Sequence, residues 1–244
     1  MFNKKKHQLS IVIPILNEAK NINILIPKIV NCIKNKIKKH EIIIVDDDSD
    51  DDISKIIFEL KKKYRFIKFI QRKGKTKRDL SQSCLSGFKK AKYENILVMD
   101  GDLQHDPKYI IKLYRVLINK RLDIAIGSRN LIKNGRKGLS LIRYLSSILI
   151  IFIFNFFLGK KTADPMTGYF IFKKKILKHV YNKLYGKGFK ILSDIIYSTN
   201  NDYKIEDVDI NFKLRKKGGS KMNTKILLQI IILFFNKLLK NIFI

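Results

Sequence analysis

The sequence predicts an α/β domain: a mostly parallel sheet with helices on both faces, followed by an amphipathic C-terminal helix. Three observations carry this. Short apolar runs of strand length alternate with longer stretches of helical periodicity as far as Arg129, the signature of a parallel sheet. Three of those runs end on polar or acidic residues, Asn17 and Glu18, Asp46 and Asp47, Asp100 and Asp102, which gathers them on one sheet edge. The length, 244 residues, suits one such domain with appendages and is ample for a core.

In chain order, Leu9 to Pro14 (LSIVIP) is the first strand and opens into a polar loop, Ile15 to Ala19. A helical pattern continues to about Lys39, and Glu41 to Val45 is a second buried strand. Ile53 to Lys63 has helical spacing, Ile67 to Gln71 is a strand, and Asp79 to Ala91 is a helix with Asp79 as its cap. The run Ile96 to Met99 is a buried strand that stops on Asp100-Gly101-Asp102. Asp106 and Pro107 then suit the N-cap and first position of a helix. Asp123 to Ile126 is a further strand delivering Gly127-Ser128-Arg129. Beyond it lie a strongly apolar stretch, Leu139 to Leu158, and a turn, Asp164 to Gly168, before a short strand, Tyr169 to Phe172. A helical stretch, Gly188 to Thr199, carries Asp194, and Lys204 to Leu214 alternates like a strand. From Thr224 onward the chain is apolar, punctuated by Lys225, Lys237 and Lys240, an amphipathic helix pattern.

Charge narrows the partners. Lys and Arg number 51 against 21 Asp and Glu, a net +30, which suits nucleic acid or an anionic membrane surface. Abundant Lys, Ile and Asn with no Trp point to base composition as part of the cause, and no nucleic-acid motif is present. Nucleic acid is therefore not an expected partner. Cys32 and Cys84 fall in helical segments and read as core residues, which fits a reducing, cytoplasmic compartment. The basic start, MFNKKKHQ, is not followed by a secretory signal, because Pro14, Asn17 and Glu18 interrupt the apolar run. The longest charge-free span, Tyr144 to Gly159, falls short of the roughly 20 residues that cross a bilayer.

Two motifs are decoys. Gly74-Lys75-Thr76 resembles the end of a phosphate-binding loop, but position 69 is Phe69 where that motif needs glycine. Asp48, Asp50, Asp52 and Glu59 fall on calcium-loop spacings, but Ile53 occupies the required central glycine position. Asp50 to Asp52 read instead as a solvated helix N-terminus. The Asp100-Gly101-Asp102 turn is different. Two carboxylates on so tight a loop repel unless a cation lies between them, and a hard divalent ion with open positions could also hold a diphosphate. His105, beside them, is more often a turn residue than a ligand.

Six segments occur in register: Leu9–Glu18 (LSIVIPILNE), Ile44–Ser49 (IVDDDS), Met99–Pro107 (MDGDLQHDP), Gly127–Arg129 (GSR), Asp164–Phe170 (DPMTGYF) and Phe212–Lys221 (FKLRKKGGSK). Together they resemble the family 2 glycosyltransferases, specifically the dolichol-phosphate (polyprenol-phosphate) mannosyltransferases. The resemblance implies a GT-A fold over residues 1–222, with a nucleotide and metal half at about 8–130, an acceptor half at about 131–222, and a tail helix at 223–244. It implies that Pro14, Asn17, Glu18, Asp46, Asp47, Asp100 and Gly101 line the nucleotide-sugar pocket, with GDP-mannose the first donor. Asp100, Asp102 and Gln104 would hold Mg2+ or Mn2+, and Arg129, Arg143, Arg215 and Lys221 would bind phosphates, including that of a polyprenyl phosphate acceptor. Asp102, Arg129 and Asp194 are the catalytic candidates, Asp194 with an orienting role or as a base for a hydroxyl acceptor. Asp48 stands where the family has Asn, Asp50 where it has Pro, and Arg72 to Ser83 departs from the family's Lys-x-Gly-Leu-Gly run.

A lipid-phosphate acceptor requires contact with a membrane, expected here as peripheral attachment at the inner face of the cytoplasmic membrane. Tyr144–Leu158 and the tail Ile226–Ile244 suit helices lying in the interface. A buried core helix remains open for the first, and docking on the domain or pairing in a dimer for the second. Two other activities remain open: transfer to a saccharide hydroxyl, and the lipid reaction with UDP-glucose as donor.

Overall fold

The computed structural model describes residues 8–74, 78–129, 131, 135, 141–159, 161–199, 202–212 and 224–242. Strands β1 (Gln8–Ile15), β2 (Lys39–Asp46), β3 (Ile67–Gln71), β4 (Asn95–Val98), β5 (Ile124–Ser128), β6 (Phe170–Lys173) and β7 (Ile205–Asp209) form one sheet. Their order is β3-β2-β1-β4-β6-β5-β7. All neighbours are parallel except β6, which runs antiparallel to both β4 and β5.

The helices are α1 (Ala19–Ile33), α2 (Ile53–Lys63), α3 (Leu80–Lys90), α4 (Tyr109–Asn119), α5 (Leu141–Leu158), α6 (Lys175–Val180), α7 (Ile191–Ile196) and α8 (Thr224–Ile242). They sandwich the sheet because its strands are apolar on both faces. In β1, Leu9, Ile11, Ile13 and Ile15 face the core shared with α1, α2 and α4, while Val12 faces the opposite core with α3, α5, α7 and α8. Ile42 and Ile44 against Ile43 and Val45 repeat the alternation in β2. Helix α3 lies close on the sheet: a Cβ at Gly87 would stand 2.5 Å from Val12 Cγ1.

The boundaries differ from expectation where local turns intervene. Helix α1 ends at Ile33, not near Lys39, since Lys36 and Ile37 both donate to the Ile33 carbonyl at 2.9 Å in a closing turn. Helix α4 begins at Tyr109 rather than Pro107, because Asp106 accepts from the Lys108 amide at 3.0 Å and forms a turn first. The helix expected over 188–199 is only Ile191–Ile196, and Gly188 at φ 90° lies in a left-handed conformation that helix cannot continue. Strand β7 is Ile205–Asp209; Lys213 and Leu214 of the expected strand lie outside the described residues.

Both apolar segments pack one face on the domain and leave the other exposed. Helix α5 buries Ile150, Ile151, Phe154 and Leu158 while leaving Leu145, Leu149, Phe152 and Phe156 exposed. Helix α8 docks on the domain through Ile230, Leu233, Phe234 and Lys237, with the Phe234 ring 5.4 Å from Phe154 and 5.6 Å from Phe157. Among the described residues no helix is long and apolar enough to cross a membrane.

Candidate functional site

The strand order reverses between β1 and β4: the chain runs outward from β1 to β3, then returns to lay β4 on the other side of β1. Open α/β sheets bind ligands at such a switch point, beyond the carboxyl ends of the strands. A cleft of about 230 Å³ lies there, with Pro14, Glu18, Asp47, Asp100, Asp102 and Gln104 in its lining. The register explains the convergence. Ile15 pairs with Asp46, and Val12 pairs with Val98, so the three acidic strand ends come level.

Asp100 is held both from its own loop and from the Gly168 turn. Its amide donates to His105 Nδ1 at 3.1 Å. The His105 ring is buried, stacked on Tyr169 at 4.8 Å and edge-on to Phe212 at 5.3 Å. Burial pushes the imidazole down to about 4; the neutral ring, with Nδ1 accepting, therefore carries its proton on Nε2. His105 Nδ1 is thus engaged by the Asp100 backbone amide. On the other side, Gly168 packs so closely on Asp100 that a Cβ would stand 2.5 Å and 2.6 Å from its two oxygens. Asp102 Oδ1 accepts from the Gln104 amide at 3.1 Å, and Leu103 between them takes φ 65°. Among the described residues no three His, Cys, Asp or Glu side chains converge on one point. Asp100, Asp102 and Gln104 all line the cleft, and carboxylate and amide oxygens are hard donors of the kind that could hold Mg2+ or Mn2+.

The acids of β1 and β2 divide between lining and bracing. Glu18 lines the cleft and accepts from Asn21 Nδ2 at 2.6 Å. Asp47 lines it as an ion pair with Arg72, which also donates to Ser83 Oγ at 2.9 Å and to the Asp79 carbonyl at 3.1 Å. Burial raises the Asp47 carboxyl above its ordinary range, with the Arg72 guanidinium and the Asp79 amide opposing it. Asn17 and Asp46 brace instead. Asn17 is exposed at φ 57°; its amide donates to Ser49 Oγ and its Oδ1 accepts from the Asp50 amide, both at 2.8 Å. Asp46 is fully buried and accepts from the Ser49 amide and hydroxyl. Asp51 is not solvated as expected: it turns inward and accepts from the Ala19 amide at 2.8 Å, capping α1 from the next loop.

The basic candidates fall differently. Arg129 grips the fully buried Asp164 with Nε at 2.6 Å and Nη2 at 2.8 Å, and its guanidinium lies 5.3 Å from the Phe212 ring centre. Arg129 and the Asp164–Gly168 turn are therefore one unit, and the cleft is lined by that turn, not by Arg129. Lys190 does line the cleft, and its ammonium donates to the Met166 carbonyl at 2.9 Å. Arg143 lies in the first turn of α5, its side chain outside the described residues, as are Arg215 and Lys221 altogether.

Asp194 does not join the cleft. It is buried, accepts from the Tyr185 amide at 3.0 Å and the Gly186 amide at 2.7 Å, and pairs with Lys237 at 2.5 Å. A carboxylate so enclosed is a structural acceptor and cannot reach an acceptor hydroxyl as a base. Arg72, Asp79, Gly168 and Lys190 were missed. Arg72 follows directly from the end of β3 on the same sheet edge, a signal the strand-end rule could have caught; the other three depend on packing between distant segments.

This arrangement matches known proteins. Residues 10–181 match the model of the family described as glycosyl transferase family 2. A dolichol-phosphate mannosyltransferase of Pyrococcus furiosus is 35% identical over 221 residues, covering 89% of this chain, which spans 60% of that relative's length. One from Saccharomyces cerevisiae is 27% identical over 235 residues, covering 91% of this chain and 84% of the relative. Among solved structures, glucosyl-3-phosphoglycerate synthase from Mycobacterium tuberculosis with Mn2+, uridine diphosphate and phosphoglyceric acid superposes at TM-score 0.72, with 15% identity over 95% of this chain and 78% of that one. At that identity the likeness speaks for the fold alone, and the fold is GT-A. With the family model matched over most of its length and the acidic loop at the switch point of that fold, this chain belongs to glycosyl transferase family 2.

Proposed function

We propose that this chain transfers a hexose, with mannose the first candidate, from a nucleotide-sugar to a polyprenyl phosphate at a membrane surface, with inversion and with Mg2+ or Mn2+ bound. The observation that carries the reading is the pair Asp100 and Asp102 in the cleft beside β1 and β4, braced by His105 and Gly168. Relatives named dolichol-phosphate mannosyltransferase support a polyprenyl phosphate acceptor and mannose as the sugar; GDP-mannose is the first donor to test. Residues 8–130 would then carry the donor and metal, and 131–222 the acceptor side.

Asp100, Asp102 and Gln104 would hold the metal, which when bound offsets the negative charge developing on the departing nucleoside diphosphate. Glu18 and Asp47 would meet the nucleoside, and Lys190 would add positive charge on the opposite wall. A phosphate monoester is already anionic near neutral pH, so its oxygen can attack the anomeric carbon without a strong base. That agrees with the enclosed position of Asp194.

The membrane contact would be the joint surface of α5 and α8. Leu145, Leu149, Phe152 and Phe156 on one helix and Leu228, Ile231, Phe235 and Leu239 on the other are all exposed. The net +30 would hold this surface against anionic lipid, at the inner face of the cytoplasmic membrane, and salt would weaken it.

The test is transfer of label from GDP-mannose or UDP-glucose, with Mn2+, to a polyprenyl phosphate, followed into organic solvent. Label from GDP-mannose that Asp102→Ala reduces by about 10²-fold or more supports the reading. Label from UDP-glucose keeps the reaction and changes the donor. Transfer only to a saccharide hydroxyl would overturn the acceptor assignment.

A further inference from the structure

One buried cation is not used by the proposed reaction. Lys237, on α8 beside the buried Ile230, Leu233 and Phe234, is 1% exposed. Its ammonium lies 2.5 Å from Asp194 Oδ1 and donates to Ser198 Oγ at 2.6 Å and to the Lys183 carbonyl at 3.0 Å. These are three directional acceptors for a group with three N–H donors. Replacing a buried ion pair by apolar side chains often leaves a fold equally or more stable. Stability alone therefore gives no reason for the pair, whereas fixing the geometry of what it holds does.

What it holds leads to the cleft. Asp194 accepts from the amides of Tyr185 and Gly186. The Gly186 carbonyl accepts from Gln82 Nε2, the Gly188 amide donates to Asp79 Oδ2 at 2.8 Å, and the Ser81 amide donates to the Gly188 carbonyl at 2.9 Å. Asp79 in turn donates its amide to Asp47. On the preceding residue of α7, Ser193 Oγ donates to the Pro165 carbonyl at 2.6 Å, tying the helix to the turn that supplies Met166, Thr167 and Gly168. Phe189, Lys190 and Ile191 of the segment between these anchors form the cleft wall.

We infer that Lys237 is a positioning residue for the cleft: through Asp194 it fixes segment 184–190, so the C-terminal helix shapes a site it does not touch. The effect on substrate rests on reading the cleft as the donor pocket; the effect on the segment does not.

The test uses the full chain as wild type, Lys237→Met, Ser198→Ala, and Ile232→Ala as a control on the exposed side of α8. Amide hydrogen exchange is read at Tyr185, Gly186 and Gly188, and affinity for Mn2+ with GDP or UDP by calorimetry. Lys237→Met is expected to speed exchange at Tyr185 and Gly186 by about tenfold or more as the segment opens locally. Nucleotide binding is expected to weaken by about tenfold, and donor KM to rise more than kcat falls, since the wall is displaced and not removed. Ser198→Ala moves both readouts the same way by about two- to threefold, and Ile232→Ala moves neither. Exchange at Tyr185 and Gly186 and nucleotide affinity all within twofold of wild type in Lys237→Met would overturn the inference. If that variant does not fold, Ser198→Ala decides: unchanged exchange at both amides overturns it. If wild type binds neither nucleotide, the donor-pocket reading falls, while the exchange measurement still decides whether Lys237 positions the segment.

Discussion

Gly168→Ala separates activity from stability at a single methyl group. The added Cβ would stand 2.5 Å and 2.6 Å from the Asp100 oxygens and 2.8 Å from its carboxyl carbon. Ordinary contact begins near 3.4 Å, so the carboxylate must retreat by about 0.9 Å. It can do so, because the obstructing atoms end a short side chain, and Gly168 is not among the positive-φ glycines, so alanine suits its backbone. The fold should therefore tolerate the change, with melting temperature within a few degrees of wild type, helped by the lower entropy of the unfolded chain. The proposed metal site should not. Ligand distances are tolerated to about ±0.2 Å, and a misplacement near 1 Å costs about 10²-fold in rate, equivalent to about 2.7 kcal/mol. The assay is kcat/KM for label transfer across a Mn2+ titration, beside a thermal melt of the same preparation. Part of the loss should be recovered at high Mn2+. A folded variant with kcat/KM within threefold of wild type would refute the claim that Asp100 must occupy this position.

Three further outcomes follow from the same geometry. Burial alone would raise the Glu41 carboxyl, but Lys68 at 2.7 Å, the Lys92 amide and Ser10 outweigh it and hold it below 4.5. A depressed carboxyl stabilises the fold above its unfolded pKa and loses that contribution as pH falls through the folded one; Glu41→Gln should melt earlier at pH 7, with the gap to wild type closing below about pH 4.5, as read by melts across pH. Arg129→Ala leaves the fully buried Asp164 without its bidentate partner and should cost about 3–5 kcal/mol, read from urea midpoints; an unchanged midpoint would deny the pair its structural role. Phe152→Asp with Phe156→Asp, at positions 65% and 70% exposed, should weaken sedimentation with anionic vesicles by at least about tenfold without lowering the melting temperature, and equal sedimentation would place the membrane contact elsewhere.

The acidic edge was legible in the sequence because the carboxylates come at or just beyond the ends of short apolar runs of strand length, set between stretches of helical spacing. Helix α2 and strand β3 have the bounds their periodicity gave, and Asp79 caps α3 by accepting from the Gln82 amide at 3.0 Å. What stayed hidden is non-local. The sequence marks Tyr169–Phe172 as a strand, one residue earlier than the observed bounds at each end, but cannot say that β6 runs antiparallel between β4 and β5. Hydropathy places a lysine in water, so Lys237 looked like the polar side of a tail helix. Its three acceptors lie on Lys183, Asp194 and Ser198, which only the docked helix brings together. The surroundings of Asp194 were hidden for the complementary reason: the sequence offered an orienting role or a base, and nothing nearby in sequence announced the cation that encloses it. The proposed metal site shows the same division. Asp100 and Asp102 declare themselves, whereas the His105 ring and the bare backbone of Gly168 act on Asp100 by the space they fill or leave. Gly168 in particular has no side chain to signal anything, and its importance appears only once β6 has been laid beside β4 and carried residue 168 against residue 100.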